Sequence, residues 1–141
     1  QDKYSMFNRK PEEKILKIIQ ENGSGFIAFS PLAQGLLTDK YLNGIPKHSR
    51  AANSNGFLRV QQVTPELVEK VKALNVIAVE RGQTMAEMAL AWALRDAAVT
   101  SLIVGARNVS QLQDSLKALD NLSFTNEELT LIDSILDGAK L

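Results

Sequence analysis

The sequence predicts an α/β domain in which parallel strands alternate with helices. Two short runs, Phe26–Phe29 and residues 99–104, are rich in β-branched, aliphatic and aromatic residues. Each run lies between segments whose apolar residues repeat at helical spacing, and start signals precede most of these helices. Because strands separated by helices pair in parallel, the chain is expected to contain βαβ units.

The first helix is predicted over residues 11–21. Pro11 stands in its first turn, where its missing N–H is not needed. Its apolar residues, expected to share one face, are Ile15, Ile18 and Ile19. Residues 22–25, Asn-Gly-Ser-Gly, end this helix and lead directly into the strand Phe26–Phe29.

Two helices are predicted after an irregular segment at about residues 39–63. Thr64-Pro65 opens the first of them and Gly82 ends it. Its apolar positions are Leu67, Val71, Leu74 and Ala78. The second opens with a capping-box pattern, Thr84 with Glu87. Its apolar stripe, expected to be buried core, consists of Met85, Met88, Ala89 and Trp92.

The second strand, residues 99–104, is followed at once by Gly105. Two further helices come after it, and both open with a capping-box pattern. These patterns are Asn108 with Gln111 and Thr125 with Glu128. The first of these helices is expected to run to about residue 119, and the second is expected to fade near Gly138.

Length and composition indicate one globular domain and exclude several function classes. The chain has 141 residues, 45% of them hydrophobic, and a formal net charge of zero, so no overall field attracts nucleic acid or an anionic membrane. With no cysteine and one histidine, a structural zinc site is excluded. No membrane span or signal-peptide core is recognised, so a cytoplasmic location is expected. Because no methionine precedes Gln1, we expect a fragment or a processed product.

One glycine pattern matches a nucleotide-binding motif but stands in the wrong place. Residues 23–28, GSGFIA, fit the G-x-G-x-x-[GA] fingerprint of Rossmann folds. In that fold the glycines follow a strand and open a helix, whereas here they close a helix and open a strand. The glycines are therefore interpreted as a helix stop.

A binding edge is expected at the carboxyl ends of the strands, where parallel α/β proteins hold their ligands. Ser30-Pro31 follows the first strand, and residues 105–107 follow the second. Gln1 and Tyr4 are expected at the same edge if they follow a strand that precedes Gln1. Three segments that are distant in sequence then converge on one place.

Cations near this edge indicate an anionic ligand, although each also has an ordinary explanation. Arg107 precedes the helix opened by Asn108, which suits a phosphate; a solvated surface arginine is the alternative. Gln111 is interpreted equally well as a capping residue. Lys40 and Arg50 either close over an anion or are common surface cations. The residues alone lead to an anion site and not to a reaction.

Four segments carry a family resemblance: QDKYSMFNR, FIAFSPLAQGLLTDKYLNGIPKHSR, MAEMALAWALRD and SLIVGARNVSQLQDSLKAL. They resemble the second half of the aldo-keto reductases, closest to the branch of potassium-channel β-subunits and bacterial glyceraldehyde phosphate reductases. The resemblance implies that residues 1–141 form one domain, the C-terminal half of a (β/α)8 TIM barrel with about its last three β/α units. It also implies reduction of aldehydes or ketones with NADPH.

The same resemblance implies a set of NADPH-contacting residues. Phe29 takes the place of an aromatic residue beside the nicotinamide, and Gln1 that of a glutamine bonding its carboxamide. The loop expected to wrap the pyrophosphate begins with Ser30, Pro31, Leu32, Ala33, Gln34 and Gly35. Further contacts are expected from Lys40, His48 and Arg50. The 2′-phosphate and the adenine are expected at Gly105, Arg107, Gln111, Asp114 and Ser115.

Several of these positions depart from the family pattern. Phe29 is often Trp in this branch and His48 often Tyr, so a planar ring is kept in both places. Arg107 stands where Ser is frequent, and its guanidinium suits bidentate binding of a 2′-phosphate. Asp114 and Ser115 replace the usual Glu and Asn.

No catalytic residue is expected in this chain. The family's catalytic Asp, Tyr, Lys and His belong to the first half of the barrel, and nothing in the sequence matches them. Tyr4 and Tyr41 belong to other motifs, so neither is assigned as proton donor.

Three hypotheses about function remain open. The first is the cofactor-binding half of an NADPH-dependent reductase of small carbonyl compounds. The second is a non-catalytic NADPH-sensing or interaction module of the channel β-subunit type. The third is an inactive truncated product. The partners expected are a carbonyl substrate and either a second copy of the chain or a missing N-terminal half.

Overall fold

The computed structural model describes residues 1–47, 51–52, 58 and 60–137. The elements in this part, in chain order, are β1 (Asp2–Lys3), α1 (Ile15–Glu21), β2 (Phe26–Phe29), α2 (Pro65–Glu80), α3 (Met85–Leu94), β3 (Val99–Ile103), α4 (Val109–Leu116) and α5 (Asn126–Leu136). Short 3₁₀ helices lie at Lys10–Glu13, Ala33–Gly35, Asp39–Tyr41, Val60–Gln62 and Lys117–Asp120. Within the described ranges, none of the helices has the length and apolar character needed to cross a bilayer.

The three strands form one parallel sheet in the order β1-β2-β3. The predicted parallel pairing of β2 and β3 is confirmed. The expectation of a strand lying wholly before Gln1 is wrong, because Asp2–Lys3 pairs with the end of β2. Gln1 therefore precedes a strand residue instead of following the strand. Two residues carry no period-2 pattern, so sequence alone did not identify β1.

One face of the sheet is buried and the other is exposed. Phe26 and Ala28 of β2 are fully buried beneath the helices, with no exposed area. On the opposite face, Ile27, Phe29 and Ile103 are 42%, 37% and 49% exposed. Side chains alternate along a strand, so one face of this sheet is packed and the other, which we call the open face, is not covered by the described residues.

Helix α3 forms the centre of the core. The predicted stripe of Met85, Met88, Ala89 and Trp92 is confirmed, since none of these residues is more than 1% exposed. The predicted box at Thr84 and the box at Thr125 are both present, with the side chain and backbone bonds made reciprocally. In each box the hydroxyl and the carboxylate satisfy backbone N–H groups that the first turn leaves free.

Helix α1 differs from the prediction in both extent and packing. The predicted helix over residues 11–21 is divided into a 3₁₀ turn, Lys10–Glu13, and α1. Leu16 is the residue of α1 that is buried. Of the predicted face, Ile19 is half-buried against the core, whereas Ile15 and Ile18 are 36% and 54% exposed. Helical spacing identifies an apolar face, but it does not say whether this chain supplies a neighbour to cover it.

A polar cluster joins the start of the chain to the end of α3. We call Tyr4, Arg9, Glu12, Trp92 and Arg95 the arginine cluster. The Tyr4 hydroxyl and Arg95 both donate to Oε1 of Glu12, at 2.7 and 2.9 Å. Arg9 donates to the other oxygen of Glu12 at 2.9 Å. One carboxylate therefore accepts hydrogen bonds from three side chains that are up to 91 residues apart in sequence.

The cluster predicts a pH dependence of stability that is due to Glu12. Burial acts to raise the pKa of Glu12, but hydrogen bonds from Arg9, Tyr4 and Arg95 outweigh it and hold that pKa below its ordinary value. A lowered pKa in the folded state contributes stability above the unfolded pKa, and that stability is lost as pH falls through the folded pKa. We expect Glu12→Gln to lower the free energy of unfolding by about 1–3 kcal/mol at pH 7 and by less at acid pH.

Urea unfolding across this pH range measures the effect. Glu13 lies on the same 3₁₀ helix and is exposed, so Glu13→Gln serves as the control and should leave the pH profile unchanged. A Glu12→Gln deficit of the same size at every pH would contradict the explanation.

Gly25 is needed where β2 meets β3. A Cβ built on Gly25 lies 2.7 Å from Oγ1 of Thr100, and the same hydroxyl accepts the Phe26 N–H at 3.1 Å. We therefore expect Gly25→Ala to destabilise the fold by about 1–3 kcal/mol in chemical denaturation, since the strand must shift. Gly105 has no atom within 4 Å of its built Cβ, so Gly105→Ala is the matched control. Equal losses in the two variants would argue against a steric cause. The close approach accounts for Gly25 in the false Rossmann pattern, and the first glycine of that pattern, Gly23, has a φ of 61°.

Candidate functional site

The carboxyl ends of the three strands lie side by side. Phe29, the last residue of β2, is in register with Lys3 of β1 and Ile103 of β3. The N–H of Tyr4 donates to the Phe29 carbonyl at 3.3 Å, which extends the pairing one residue past β1. The segments that follow the strands therefore leave the sheet at one edge, as the sequence predicts.

The loop after β2 has an unusual backbone. Three non-glycine residues, Ser30, Ala33 and Gln34, have φ angles of 54°, 47° and 61°. Each lies in the left-handed region, which side chains with a Cβ seldom adopt and which costs on the order of 1–3 kcal/mol per residue. Gly35 follows with φ of 97°. Such strain is concentrated in loops that are shaped for a ligand.

Hydrogen bonds and buried side chains hold this strained loop in place. The N–H of Ala33 donates to the Ser30 carbonyl at 2.9 Å, and that of Gly35 to the Leu32 carbonyl at 2.8 Å. The Thr38 hydroxyl donates to the Gly35 carbonyl at 2.7 Å. Sequence reasoning missed Thr38, although a threonine three residues after a glycine turn is a recognisable signal.

The loop offers mostly backbone to a ligand. Pro31 and Ala33 are buried, so the side chains of these two candidate residues hold the loop in place and do not face a ligand. Leu32 and Gln34 are half-buried, and Ser30 is half-buried directly beside the open face. The side chain of Lys40 is exposed beyond the turn. His48 and Arg50 lie outside the described residues.

Helix α4 brings the second group of candidates to the same edge. Gln111 acts as a cap, because its Oε1 accepts the backbone N–H of Arg107 at 2.9 Å. Asn108 accepts the Gln111 N–H at 2.9 Å, so the predicted box is only half formed: the returning bond goes to Arg107 instead of Asn108. Asp114 is paired with Lys117 at 2.9 Å, and the Ser115 hydroxyl donates to the Gln111 carbonyl.

The guanidinium of Arg107 is uncommitted. In the described part of the chain it makes no hydrogen bond and no ion pair, and it is exposed beside Gly105, just ahead of α4. An exposed arginine at the start of a helix is free to bind an anion with its own N–H groups. This free cation is the feature of the edge that best fits a phosphate.

The open face adds two groups to the candidate site, the aromatic ring of Phe29 and the side-chain amide of Gln1. Phe29 is exposed there, and Lys3 lies beside it in register. Gln1 stands just ahead of β1, and alternation continued from the strand predicts that it shares the face of Lys3. Sequence reasoning missed Lys3, since the strand that orients it was not identified.

Tyr4 does not belong to the binding edge, which corrects the expectation. It is fully buried, its ring packs on Trp92 with centroids 5.5 Å apart, and its hydroxyl bonds Glu12 and accepts from Arg95 at 2.8 Å. The pKa of Tyr4 is raised well above its ordinary value. Burial is the main cause, and the hydrogen bond to Glu12 adds to it. A hydroxyl with this environment is a structural group.

The sequence profile of the Aldo/keto reductase family matches residues 1–137. The chain belongs to this family. The L-glyceraldehyde 3-phosphate reductases of Escherichia coli O157:H7 and of strain K12 are 46% and 45% identical to it over 145 aligned positions. A probable voltage-gated potassium channel subunit beta of Arabidopsis thaliana is 41% identical over 123 positions.

A solved structure has the same fold. A thermostable aldo-keto reductase, crystallised in complex with the inhibitor epalrestat, superposes with a TM-score of 0.65 at 26% identity, covering 95% of this chain and 38% of its own. The chain likewise covers 41% of each E. coli reductase and 38% of the Arabidopsis protein. The three strands and their helices are thus part of an aldo-keto reductase fold.

Proposed function

We propose that this chain supplies the NADPH-binding edge of an aldo-keto reductase that reduces aldehydes or ketones to alcohols. The observation that carries the proposal is the strained loop of Ser30, Ala33 and Gln34, which directly follows the exposed Phe29 at the end of β2. The neighbouring strand β3 ends in register with Phe29 and leads to Arg107. Family membership supplies the reaction class, and the identity of the carbonyl substrate is left open. When bound, NADPH supplies a hydride to a carbonyl carbon.

The residues of the edge have distinct proposed roles. Phe29 offers a flat apolar surface for the nicotinamide ring, and Gln1 an amide for its carboxamide. The loop of residues 30–35 is proposed to meet a pyrophosphate through the backbone N–H groups of Leu32 and Gln34, since those of Ala33 and Gly35 are bonded within the loop and Pro31 has none. Lys40, together with His48 and Arg50, belongs to the proposed outer part of this binding loop.

The adenosine end is assigned to α4. Arg107 is proposed to bind the 2′-phosphate, since its guanidinium has no partner in the described part of the chain and stands before a helix N-terminus. Gly105 leaves room for the sugar, because nothing lies within 4 Å of its built Cβ. Gln111 is occupied as a cap, so its proposed part is to hold the backbone of Arg107. Asp114 and Ser115 are assigned to the adenine.

Protonation of the carbonyl oxygen is assigned to a residue outside this chain. Tyr4 is buried and already bonded to Glu12 and Arg95, so it has no access to a substrate at the open face. The proposal therefore gives this chain the tasks of binding and orienting, and the proton transfer to the remaining part of the barrel.

Calorimetric titration of the 141-residue chain with NADPH, with NADH as the control, tests the proposal. Saturable binding that is at least about 10-fold tighter for NADPH is expected, because a charge-assisted phosphate contact contributes roughly that much. Binding of neither nucleotide would overturn the claim that the edge forms a site within this chain. Equal binding of both would remove the role of Arg107.

A second candidate is a nucleotide-sensing interaction module, because a relative named as a probable potassium channel subunit beta is 41% identical. An assay of NADPH oxidation by the assembled barrel distinguishes the reductase from the interaction module. Carbonyl-dependent oxidation of NADPH supports the reductase, whereas nucleotide binding without any oxidation of NADPH across a panel of aldehydes and ketones supports the module.

A further inference from the structure

Two Asn-Gly pairs in the described part of the chain differ in their hydrogen bonds. Asn22-Gly23 lies at the end of α1, and Asn43-Gly44 lies in the turn after the 3₁₀ helix Asp39–Tyr41. Both asparagines are exposed, so exposure does not distinguish them. A third Asn-Gly pair, at residues 55–56, lies outside the described residues.

An asparagine that precedes glycine can lose its side-chain amide in water without an enzyme. The backbone nitrogen of the glycine attacks Cγ of the asparagine, and a new C–N bond closes a succinimide ring. The side-chain nitrogen leaves as ammonia and takes up the proton that the glycine N–H has lost. Water then opens the ring to give aspartate, or isoaspartate, in which the main chain runs through the side-chain carbonyl. Glycine favours the reaction because it has no side chain to hinder the attack.

At Asn22 both reacting groups are held by hydrogen bonds. Nδ2 of Asn22 donates to the Ile18 carbonyl at 2.8 Å, and the Gly23 N–H donates to the Gln20 carbonyl at 3.2 Å. These bonds satisfy carbonyl groups in the last turn of α1, which the helix itself leaves without partners. The attack at Asn22 therefore requires the end of the helix to open.

At Asn43 the same two groups are held much less firmly. The side chain of Asn43 makes no hydrogen bond among the described residues, and the Gly44 N–H lies 3.4 Å from the Tyr41 carbonyl, beyond the usual range for such a bond. Among the described residues, no atom beyond its chain neighbours lies within 4 Å of a Cβ built on Gly44, so water can reach the ring that forms. The attack at Asn43 breaks one weak bond.

The turn that contains Asn43 is attached to the candidate binding edge. Tyr41 is buried, and Cε2 of its ring lies 3.8 Å from a Cβ built on Gly35. The Tyr41 hydroxyl also accepts the Ala51 N–H at 3.4 Å. Asn43 therefore follows, two residues later, a side chain that packs against the strained loop.

We propose that Asn43 is a site of spontaneous deamidation, and that the carboxylate formed there weakens nucleotide binding at the candidate edge. The new negative charge lies on the outer part of the binding loop, where it repels the phosphates of a nucleotide. The site of modification follows from the hydrogen bonds alone, whereas its effect on binding rests on the proposed function.

Peptide mapping of the folded chain, incubated at neutral pH in water labelled with heavy oxygen, tests the modification. Trypsin cuts after lysine and arginine, so the three Asn-Gly pairs fall in separate peptides, residues 18–40, 41–47 and 51–59. The label marks deamidation that precedes digestion. Peptide 41–47 is expected to deamidate at least about 10-fold faster than peptide 18–40, since the bonds at Asn22 must break first. Equal rates, or a faster reaction at Asn22, would overturn the proposal.

The same mapping in guanidinium chloride separates structure from local sequence. Unfolding removes the hydrogen bonds at Asn22, so the rates of the two peptides should converge. A difference that persists in the unfolded chain would arise from neighbouring residues and would contradict the structural explanation.

Asn43→Asp carries the charge of the product and tests its effect on binding. It should weaken both NADPH and NADH by about 3–10-fold at low salt, because both nucleotides contain the pyrophosphate. Asn22→Asp is the matched control and should change either affinity by less than about 2-fold. Unchanged affinities in Asn43→Asp would overturn the effect on binding. If the unmodified chain binds neither nucleotide, the proposed function and this effect both fail, whereas the peptide rates still decide the modification.

Discussion

Replacement of Trp92 by alanine is expected to lower the free energy of unfolding by about 3–5 kcal/mol, a large part of the stability of a domain this size. Trp92 is fully buried in α3 and is covered by two cations and a ring. The guanidinium of Arg95 lies 3.6 Å from its ring centroid and that of Arg9 5.4 Å, while the Tyr4 ring packs at 5.5 Å. Alanine leaves a cavity and removes both cation–π contacts.

The polar end of Trp92 provides a sharper test of the same prediction. Its buried Nε1 has no hydrogen-bond partner among the described residues. Trp92→Phe therefore removes an unsatisfied donor, and we expect it to cost well under half as much as Trp92→Ala. Urea unfolding should be followed by circular dichroism, since this is the chain's one tryptophan. A loss below about 1 kcal/mol for alanine would contradict the role of the cluster.

Arg107→Ala is expected to weaken NADPH binding by about 10–100-fold and to change NADH binding by less than about 3-fold. The guanidinium is exposed and uncommitted in the described part of the chain, so its removal disturbs no bond within the fold. The two nucleotides differ in the 2′-phosphate, which is the group assigned to Arg107. The dissociation constants of both nucleotides, measured by calorimetry, give the ratio directly.

Lys72→Ala is the matched control for Arg107→Ala. It also removes one exposed positive charge, but its ammonium is paired with Glu69 at 2.7 Å on α2, and neither residue is assigned to the nucleotide. A loss of NADPH affinity in both variants would indicate a general electrostatic effect, which high salt would reduce. Arg107→Lys should retain part of the preference, because lysine keeps the charge and loses the bidentate geometry.

Local sequence patterns predicted the regular elements well where one segment contains the whole signal. The bounds of β2 agree with the structure, and β3 ends one residue earlier than predicted, at Ile103. The capping boxes at Thr84 and Thr125 are formed as predicted, since a box is closed by residues three apart. The buried stripe of α3 follows from helical spacing in the same way.

Sequence patterns failed where the structure depends on tertiary contacts between segments that are distant in sequence. The short β1 has no pattern of its own and becomes a strand by pairing with β2. Of the predicted apolar face of α1, Ile19 packs against the core, whereas Ile15 and Ile18 are exposed because no neighbour among the described residues covers them. Tyr4 was expected at the binding edge, and it is buried because Glu12 and Arg95 satisfy its hydroxyl.

The sequence by itself determined the class of fold, the family and the segments that make up the candidate edge, because these depend on residue types at fixed spacing. Only the tertiary structure decided that Ser30, Ala33 and Gln34 adopt left-handed backbone, since residues with a Cβ do so only when surrounding bonds and packing impose it. It likewise decided that Gln111 is committed as a cap, while the guanidinium of Arg107 has no partner among the described residues. Which groups are satisfied and which remain available is a property of contacts between distant segments, and spacing along the chain does not contain it.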